Sequence, residues 1–460
     1  MSPAKRLGFV AAGASLLAIT LAVTACGGGS SDVSSVATTE TNGRSVVPVP
    51  GPTLTAEAVD ATGVSANEIK LGTHFPLSGN PAAAYAPIAY GMKAFFDYIN
   101  AQGGIYGRKI NFIIGDDHYN PPDTVEVVHQ LVEQDKVFAI VGGLGEATHS
   151  AVWKYLEDKG VPDMFLTTGL DKWTNPTVRT RFAGNPDYQT EGMILGQYIV
   201  KNYPNARVGV LRQSDELGQE GENGLRKAIE GTSVTIAALE NYDVIQSDVT
   251  AQTERLKNAN VDVLIAYAIP PQAASMVKAA RETLNWDVPI LVSGINCSDI
   301  FILLAGAKDA EGIVSVVFGP MVSQTDNPAV QKYTKIWDKF GNGGALSNFS
   351  FYGINDGEMM VHLLEMAGPN LTRGSFLDAA ESQCDFVCSG CTDIGPENMS
   401  PSDHRPIEDE MYAQVQNGAW TKISDPIGFE STPKCTPPTP PAGFDQQPKV
   451  GADAPYVETP

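Results

Sequence analysis

Between residues 68 and 295, short apolar runs alternate with longer amphipathic stretches. Each short run is typical of a strand, because four to eight consecutive apolar residues suit a buried position in a sheet. Strands are predicted at 69–77, 109–117, 137–143, near 162–169, and at 206–212, 233–242, 261–268 and 289–295. The chain therefore carries a strand roughly every thirty residues.

The stretches between these runs predict helices. In the segment 123–135, for example, Val125, Val128, Leu131 and Val132 fall on one helical face. Further helices are predicted at 87–104, near 148–160, and at about 220–230, 249–259 and 271–284. Strands that alternate with helices form parallel sheets covered by helices on both faces.

The alternation begins again at about residue 206, so the sequence predicts an α/β fold with two Rossmann-like lobes. Ligands of such sheets bind beyond the carboxyl ends of the strands. A cleft between the two lobes is therefore the expected site.

The composition agrees with a soluble globular protein. Of the 460 residues, 43% are hydrophobic and 18% charged. Roughly 360 residues remain between the flexible ends, more than one typical core holds, so two domains are expected. The net charge of −22 argues against nucleic acid as a partner.

The N-terminus has the features of an export signal. Lys5 and Arg6 precede an apolar run over 7–24, and Cys26 is followed by glycine and serine. The run is also about long enough to cross a membrane, and a buried structural cysteine is the other alternative for Cys26. "VTAC" resembles the lipobox of bacterial lipoproteins. That resemblance implies a signal peptide over 1–25 and a lipidated Cys26.

Lipidation would place the protein outside the cytoplasm, on the outer face of the membrane or in the periplasm, without a transmembrane helix. The segment 26–67, rich in Gly, Ser, Thr, Val and Pro, is predicted to be a flexible tether. The Pro-rich tail, 431–460, is predicted to be disordered.

Five further cysteines are present. Four of them, Cys384, Cys388, Cys391 and Cys435, could form disulfides, which an exported protein favours. Their spacing alone also allows a zinc site or free thiols. Because five is odd, one thiol lacks an intramolecular partner, and Cys297 is the candidate. We predict disulfides among the four, without a defined pairing, and no metal.

Several stretches resemble the solute-binding proteins of branched-chain amino-acid-type ABC transporters, which have the type I periplasmic binding fold. They include "IKLGTHFPLSG", "FDYINAQGGIYGRKINFIIGDD", "FAIVGGLGEATHSAVWKYLEDKGVP" and "DYQTEGMILGQYIVKNYPNARVGVL". The resemblance covers about 68–425. It implies a clamshell with three crossings, in which lobe 1 comprises 68–186 and 321–383, and lobe 2 comprises 187–320 and 384–430.

The resemblance also implies a function. Such proteins capture a small molecule between the lobes and present it to the permease subunits of an importer. We expect a monomer that uses no cofactor. The sequence lacks GxSxG, HExxH and GxxxxGK motifs, so an enzyme is not predicted. A protein of the same fold that signals to a membrane receptor is the alternative.

Amino-acid-binding relatives hold the ligand's carboxylate with Ser and Thr hydroxyls and backbone N–H groups in lobe 1. Here Gly145 and Glu146 stand where the family has a serine-rich turn. Glu146 could stabilise the helix dipole or contact a cationic or hydroxylated ligand. Thr148 could cap the helix or contact the ligand. Thr168 and Gly169 are the best-supported polar contacts.

Lobe 2 of the relatives supplies an acidic residue that meets the ligand's ammonium group. The corresponding stretch here centres on Asn296, with no carboxylate unless the alignment slips to Asp299. The other predicted contacts are apolar or aromatic: Tyr85, Leu217, Ile269 and Met321. The ligand is therefore predicted not to be a standard α-amino acid.

The C-terminal pattern "SPSDHRPI" resembles a branch linked to aromatic acids, so an aromatic acid or another moderately apolar carbon source is favoured. A branched-chain or modified amino acid, or an amide, is the alternative.

Overall fold

The computed structural model describes residues 59–79, 81–175, 177–428 and 435–459. The predicted signal peptide, Cys26 and most of the predicted tether lie outside these ranges. None of the described helices is long and apolar enough to span a membrane. The strands are β1 (Glu68–Phe75), β2 (Lys109–Asp116), β3 (Ala139–Val141), β4 (Asp163–Leu166), β5 (Arg181–Ala183), β6 (Arg207–Gln213), β7 (Thr235–Tyr242), β8 (Val263–Tyr267), β9 (Ile290–Val292), β10 (Val314–Val317), β11 (Met411–Gln416) and β12 (Ala419–Lys422).

These strands form two sheets, one in each lobe. The sheet of lobe 1 has the order β2-β1-β3-β4-β5 and is parallel throughout. The sheet of lobe 2 has the order β12-β11-β10-β9-β8-β6-β7, in which β11 and β12 add an antiparallel edge to five parallel strands. The predicted α/β class with two Rossmann-like lobes is confirmed.

Helices cover these sheets. They are α1 (Ala82–Ala101), α2 (Pro121–His129), α3 (Glu146–Ser150), α4 (Trp153–Asp158), α5 (Tyr188–Asn202), α6 (Glu216–Ile229), α7 (Thr250–Asn258), α8 (Pro270–Lys278), α9 (Asp299–Ala305), α10 (Ala307–Ala310), α11 (Pro328–Phe340), α12 (Asn348–Ala367) and α13 (Arg373–Glu381). Short π-helical turns extend α2 through residue 135 and α8 through residue 283.

Two helices differ from the sequence prediction. Helix α1 starts at Ala82 rather than at Pro87, because Ala84 and Tyr85 extend its buried face. The helix predicted near 148–160 is divided into α3 and α4. Thr148 and Ser150 donate their hydroxyl hydrogens to backbone carbonyls four residues earlier, a contact that bends helices.

The long α12, absent from the sequence prediction, packs closely on α1. A Cβ atom at Gly353 would lie 1.9 Å from the carbonyl oxygen of Ile88, and one at Gly91 would lie 2.2 Å from the carbonyl oxygen of Ser350. Only glycine permits this approach. The crossing holds α12 against the core of lobe 1 and directs its first turns toward the other lobe.

The chain passes between the lobes three times: after β5, after β10, and between residues 404 and 411. One predicted boundary differs. Residues 384–399 were expected in lobe 2, but Phe386, Cys388 and Met399 belong to the core cluster of lobe 1. His404 stacks on Phe182 in lobe 1, with ring centroids 3.9 Å apart. The chain therefore enters lobe 2 for the last time near residue 410.

Both ends of the described chain lie on lobe 1. Residues 59–67, the last part of the predicted tether, pack there, with an ion pair of 2.8 Å between Asp60 and Arg373. The tail also differs from the disordered segment expected, since residues 435–459 make defined contacts. Tyr456 stacks on Tyr98 at 5.5 Å, and the Val457 N–H donates to the Tyr98 hydroxyl.

The tail completes a buried ionic cluster, formed by Lys332, Glu358, Ser389 and Gly451. The Lys332 ammonium group donates to Glu358 at 2.9 Å, to the Ser389 hydroxyl at 2.8 Å and to the Gly451 carbonyl at 3.3 Å. Glu358 also accepts from the N–H groups of Ser389 and Gly451. Burial alone would raise the pKa of Glu358, yet Lys332 and the hydrogen bonds hold it below its usual value.

The structure pairs the four clustered cysteines as Cys384–Cys435 and Cys388–Cys391. Among the described residues, Cys297 is the free thiol, and it is buried. The Cys384–Cys435 bond ties the tail to the segment after α13 and closes a loop of 51 residues. It therefore restricts the unfolded chain far more than the bond between positions three residues apart.

Replacing Cys384 and Cys435 together with serine is expected to lower the free energy of unfolding by roughly 2–4 kcal/mol, because the unfolded chain gains the entropy of an open loop. Urea unfolding under non-reducing conditions measures the difference, and proteolysis should then cut within 435–459 first. Identical urea midpoints for the variant and the natural sequence would contradict the prediction.

Candidate functional site

A cavity of about 130 Å³ lies between the lobes. A cavity of about 150 Å³ in another protein holds benzene, so a ligand of comparable size fits here. In lobe 1 the wall is formed by α1, the loop that follows β3 and the first turns of α12. In lobe 2 it is formed by α5, the start of α6 and the residues after β8, β9 and β10. The carboxyl ends of the parallel strands in both sheets therefore meet at the cavity, as predicted for this fold.

Glu146, the first residue of α3, is buried in the lobe 1 wall, 5% exposed. Its carboxylate accepts three hydroxyl hydrogen bonds: from Tyr188 at 2.8 Å, from Thr168 at 3.1 Å and from Tyr119 at 3.3 Å. Burial raises the pKa of Glu146, the charge of Asp215 adds to this effect, and the hydrogen bonds oppose it. Three hydroxyl groups at the cavity, those of Tyr188, Thr168 and Tyr119, are thus committed to a carboxylate of the protein itself.

Gly145 allows this placement. Its φ of +98° is in the left-handed region that favours glycine. A Cβ atom there would lie 2.4 Å from the Thr148 hydroxyl oxygen and 2.7 Å from the Tyr119 ring. Any other residue would therefore displace the loop that carries Glu146.

A chain of four buried side chains supports this loop from behind. Asp117 lies 2.8 Å from His74, the two histidine rings approach at 3.1 Å, and His149 lies 2.8 Å from Asp163. His149 belongs to α3, three residues after Glu146. Burial lowers the pKa of His149, although Asp163 opposes this effect.

This lowered pKa predicts a loss of stability in acid. The unfolded chain takes up a proton on His149 below the ordinary histidine pKa of about 6.5, whereas the folded protein resists it until a lower pH. The contribution of neutral His149 to the free energy of unfolding is therefore complete above about pH 6.5, and it is lost as the pH falls below that value. We expect the natural sequence to lose more unfolding free energy between pH 7.5 and 5.5 than His149→Gln does. Equal losses in urea titrations would contradict this assignment.

The lobe 2 wall contributes two further carboxyl groups, Glu191 on α5 and Glu410 just before β11. They are 5% and 1% exposed. One oxygen of Glu191 accepts from the Gly294 N–H at 2.9 Å. The other oxygen, Oε1, and Oε2 of Glu410 have no hydrogen-bond partner among the described residues.

Burial raises the pKa of Glu191 to about 8, with a contribution from Asp187. The pKa of Glu410 is also raised, first by burial and then by the charge of Glu191. Both residues line the cavity, and each has one carboxyl oxygen without a hydrogen-bond partner among the described residues.

The rest of the wall is mostly aromatic and aliphatic. Tyr85 lies 6.4 Å from Tyr119 and 5.6 Å from Phe349, between ring centroids. Tyr352 on α12 packs edge-on against Phe318 at 5.8 Å. None of the described residues that line the cavity is Lys, Arg or His. The described wall is therefore apolar with three acidic groups.

Six of the predicted contact residues line this cavity: Tyr85, Gly145, Glu146, Leu217, Ile269 and Met321. The other four lie behind its wall. Thr148 donates to the Leu144 carbonyl, and Thr168 donates to Glu146. The Gly169 carbonyl accepts from the Tyr188 N–H. The Asn296 amide donates to the carbonyls of Ala268 and Ser293, so it supports the loop after β9.

Several lining residues were missed by sequence reasoning: Tyr119, Tyr188, Glu191, Tyr352 and Glu410. Tyr188 and Glu191 are three residues apart at the start of α5, directly after a crossing. That spacing places both on one helical face. It could have indicated that the two side chains enter the cleft together. Glu410 had none, because its position depends on the antiparallel edge of lobe 2.

Two sheets that face one cavity across three chain crossings define a two-lobed ligand-binding protein. The chain belongs to the periplasmic binding protein family, whose model matches residues 68–419. It is similar to the Leu/Ile/Val-binding protein homolog 2 of Brucella abortus (strain 2308). The two are 25% identical over 315 residues, which make up 67% of this chain and 81% of the relative.

Solved structures show the same fold. A branched chain amino acid ABC transporter protein from Thermus thermophilus with bound valine has a TM-score of 0.71 at 17% identity, over 80% of this chain and 98% of the other. A fatty acid ABC transporter substrate-binding protein from Thermomonospora curvata has a TM-score of 0.69 at 21% identity, over 81% and 95%. Two proteins named for such different ligands thus share this architecture.

Proposed function

We propose that this protein is an extracytoplasmic solute-binding protein that captures a small, moderately apolar molecule in the cavity between its lobes. It delivers this molecule to the permease subunits of an ABC importer, as the names of its relatives suggest. A lipid on Cys26 would hold it at the membrane. The ligand is not a standard α-amino acid.

The observation that carries the last point is the position of Glu146. Three hydroxyl groups that could receive a ligand's carboxylate, those of Thr168 and Tyr119 in lobe 1 and Tyr188 in lobe 2, are already hydrogen-bonded to the Glu146 side chain. A second carboxylate there would meet like charge, and these three donors would not be available to it. Burying such an unpaired charge costs several kcal/mol.

The same reasoning revises the preference for an aromatic acid. That preference came from the C-terminal resemblance, but the described cavity wall has three carboxyl groups and no basic side chain. Its electrostatics favour a neutral or cationic ligand over an anion. An aromatic ring still suits the wall of tyrosine and phenylalanine side chains.

Thermal unfolding of the purified full-length protein with a panel of compounds tests the proposal. The panel contains amino acids, carboxylic acids, amides, alcohols and amines. A compound at a hundredfold excess over its Kd should stabilise the protein by about 2.7 kcal/mol. Strong stabilisation by leucine or glutamate would contradict the exclusion of amino acids.

A matched pair of variants locates the binding site. Ile269→Trp fills the cavity from lobe 2, whereas Ile245→Trp makes the same change at a position that is 89% exposed. The first variant should abolish the stabilisation, and the second should retain it. Retention in both variants would show that the compound binds elsewhere.

A further inference from the structure

We infer that the ligand is a small organic amine without a carboxylate, whose ammonium group lies between Glu191 and Glu410 and whose apolar body lies against the aromatic wall of lobe 1. This inference rests on the proposed function, because it names the ligand class of the same cavity. It differs from the binding of an amino acid, which needs a place for a carboxylate as well.

Two buried carboxyl oxygens in the lobe 2 wall lack a hydrogen-bond donor among the described residues. Oε1 of Glu191 and Oε2 of Glu410 are buried without a donor, and both residues line the cavity. Buried polar groups in folded proteins are almost always hydrogen-bonded. A donor is therefore expected from the ligand, and an ammonium group offers N–H hydrogens to two carboxyl groups at once.

The ionisable groups of the described cavity wall are all acidic. Among the described residues that line the cavity, the three ionisable carboxyl groups face no basic side chain. Glu146 has three hydroxyl donors, whereas the lobe 2 pair has only the Gly294 N–H. Burial keeps the pKa values of Glu191 and Glu410 high; the charge of Asp187 adds to the effect at Glu191, and the charges of Glu191 and Asp187 add to it at Glu410. A bound cation opposes these effects. The positive charge thus belongs beside the lobe 2 pair.

The volume and the apolar lining of the cavity define the part of the ligand that lies beyond its ammonium group. The cavity of about 130 Å³ accommodates a body of roughly benzene size. Tyr85, Ile88, Phe349 and Tyr352 offer it an apolar surface. The engagement of three hydroxyl groups by Glu146, together with the charge of that carboxylate, disfavours a second, anionic end. A short branched or aromatic primary amine meets these conditions.

Four compounds that share a 3-methylbutyl group test the inference by calorimetry. Leucine carries an ammonium and a carboxylate, 3-methylbutylamine only the ammonium, 4-methylpentanoate only the carboxylate, and 3-methylbutan-1-ol neither charge. The amine should bind about tenfold or more tightly than the alcohol, because hydrogen bonds to charged groups are stronger than neutral ones. Leucine and 4-methylpentanoate should show no binding. Benzylamine, benzyl alcohol and benzoate form a second such series.

Variants assign the effect to the lobe 2 pair. Glu191→Gln, Glu410→Gln and their combination remove charge but retain an oxygen, so Gly294 keeps its hydrogen-bond acceptor. They should weaken amine binding about tenfold or more while changing alcohol binding by less than about threefold. Glu365→Gln is the control, because Glu365 is buried with an unpartnered oxygen yet lies outside the cavity wall. It should leave both affinities unchanged.

The outcomes separate the two proposals. Equal or tighter binding of the alcohol or the acid, or no binding by either amine, overturns the amine inference and leaves the role in solute capture standing. Unchanged amine affinity in the double variant also overturns it. Tight binding of leucine overturns the amine inference together with the proposed exclusion of amino acids.

Discussion

Replacing Glu146 with serine is expected to create affinity for leucine where the natural sequence has none. The substitution removes the carboxylate that now engages Tyr188, Thr168 and Tyr119. Their hydroxyl groups then become available to a ligand's carboxylate, while Glu191 in lobe 2 can receive its ammonium. Two hydrogen bonds to a charged group, each worth about 1.5–3 kcal/mol, correspond to a gain of roughly a hundredfold or more in affinity.

Calorimetry with leucine measures this gain directly. Glu146→Gln is the matched control, because it removes the charge but still fills the space and occupies the same hydroxyls. It should gain little affinity. If serine and glutamine at position 146 leave leucine binding equally absent, Glu146 is not the group that excludes the carboxylate.

Replacing Lys332 with methionine is expected to lower the free energy of unfolding by roughly 3–5 kcal/mol, since Glu358 would remain buried without its counter-charge. The loss should exceed that of a single core contact, because the cluster joins α11, α12, the segment after Cys388 and the tail at Gly451. Urea unfolding at pH 7 measures the change.

Lys93→Met provides the control. Lys93 pairs with Asp97 at 2.5 Å on an exposed surface of α1, and such surface pairs contribute at most about 1 kcal/mol. Similar losses for the two variants would show that the Lys332 cluster contributes no more than a surface ion pair.

The sequence predicted best those elements that have a local pattern of apolar residues. Parallel strands at 261–268 and 289–295 were predicted from apolar runs alone, and β8 and β9 lie there. The position of Glu146 at the cleft was implied by the family resemblance, and it agrees with its place after a strand, because the carboxyl ends of parallel strands face the ligand. Its three hydroxyl partners did not follow. They come from separate parts of the chain that only the folded lobes bring together.

The structure of the tail, by contrast, could not be predicted from the sequence. Its prolines indicated disorder, yet residues 435–459 pack on lobe 1 through contacts that no local pattern encodes. Gly451, for example, reaches Lys332 across more than a hundred residues of sequence. The missed helix α12 has a related cause. It is buried on most sides, so its sequence lacks the polar face by which an amphipathic helix is recognised.

Because residues 59–67 and 435–459 both lie on lobe 1, lobe 2 carries neither end of the described chain. It joins the rest only through the three crossings. A solid support attached at either end of the described chain would therefore fix lobe 1 only. Lobe 2 would remain free to move relative to lobe 1 about the three crossings. For a sensor built from this protein, a fluorophore on lobe 2 would report cleft closure, and immobilisation through residues 59–67 or 435–459 would not hinder it.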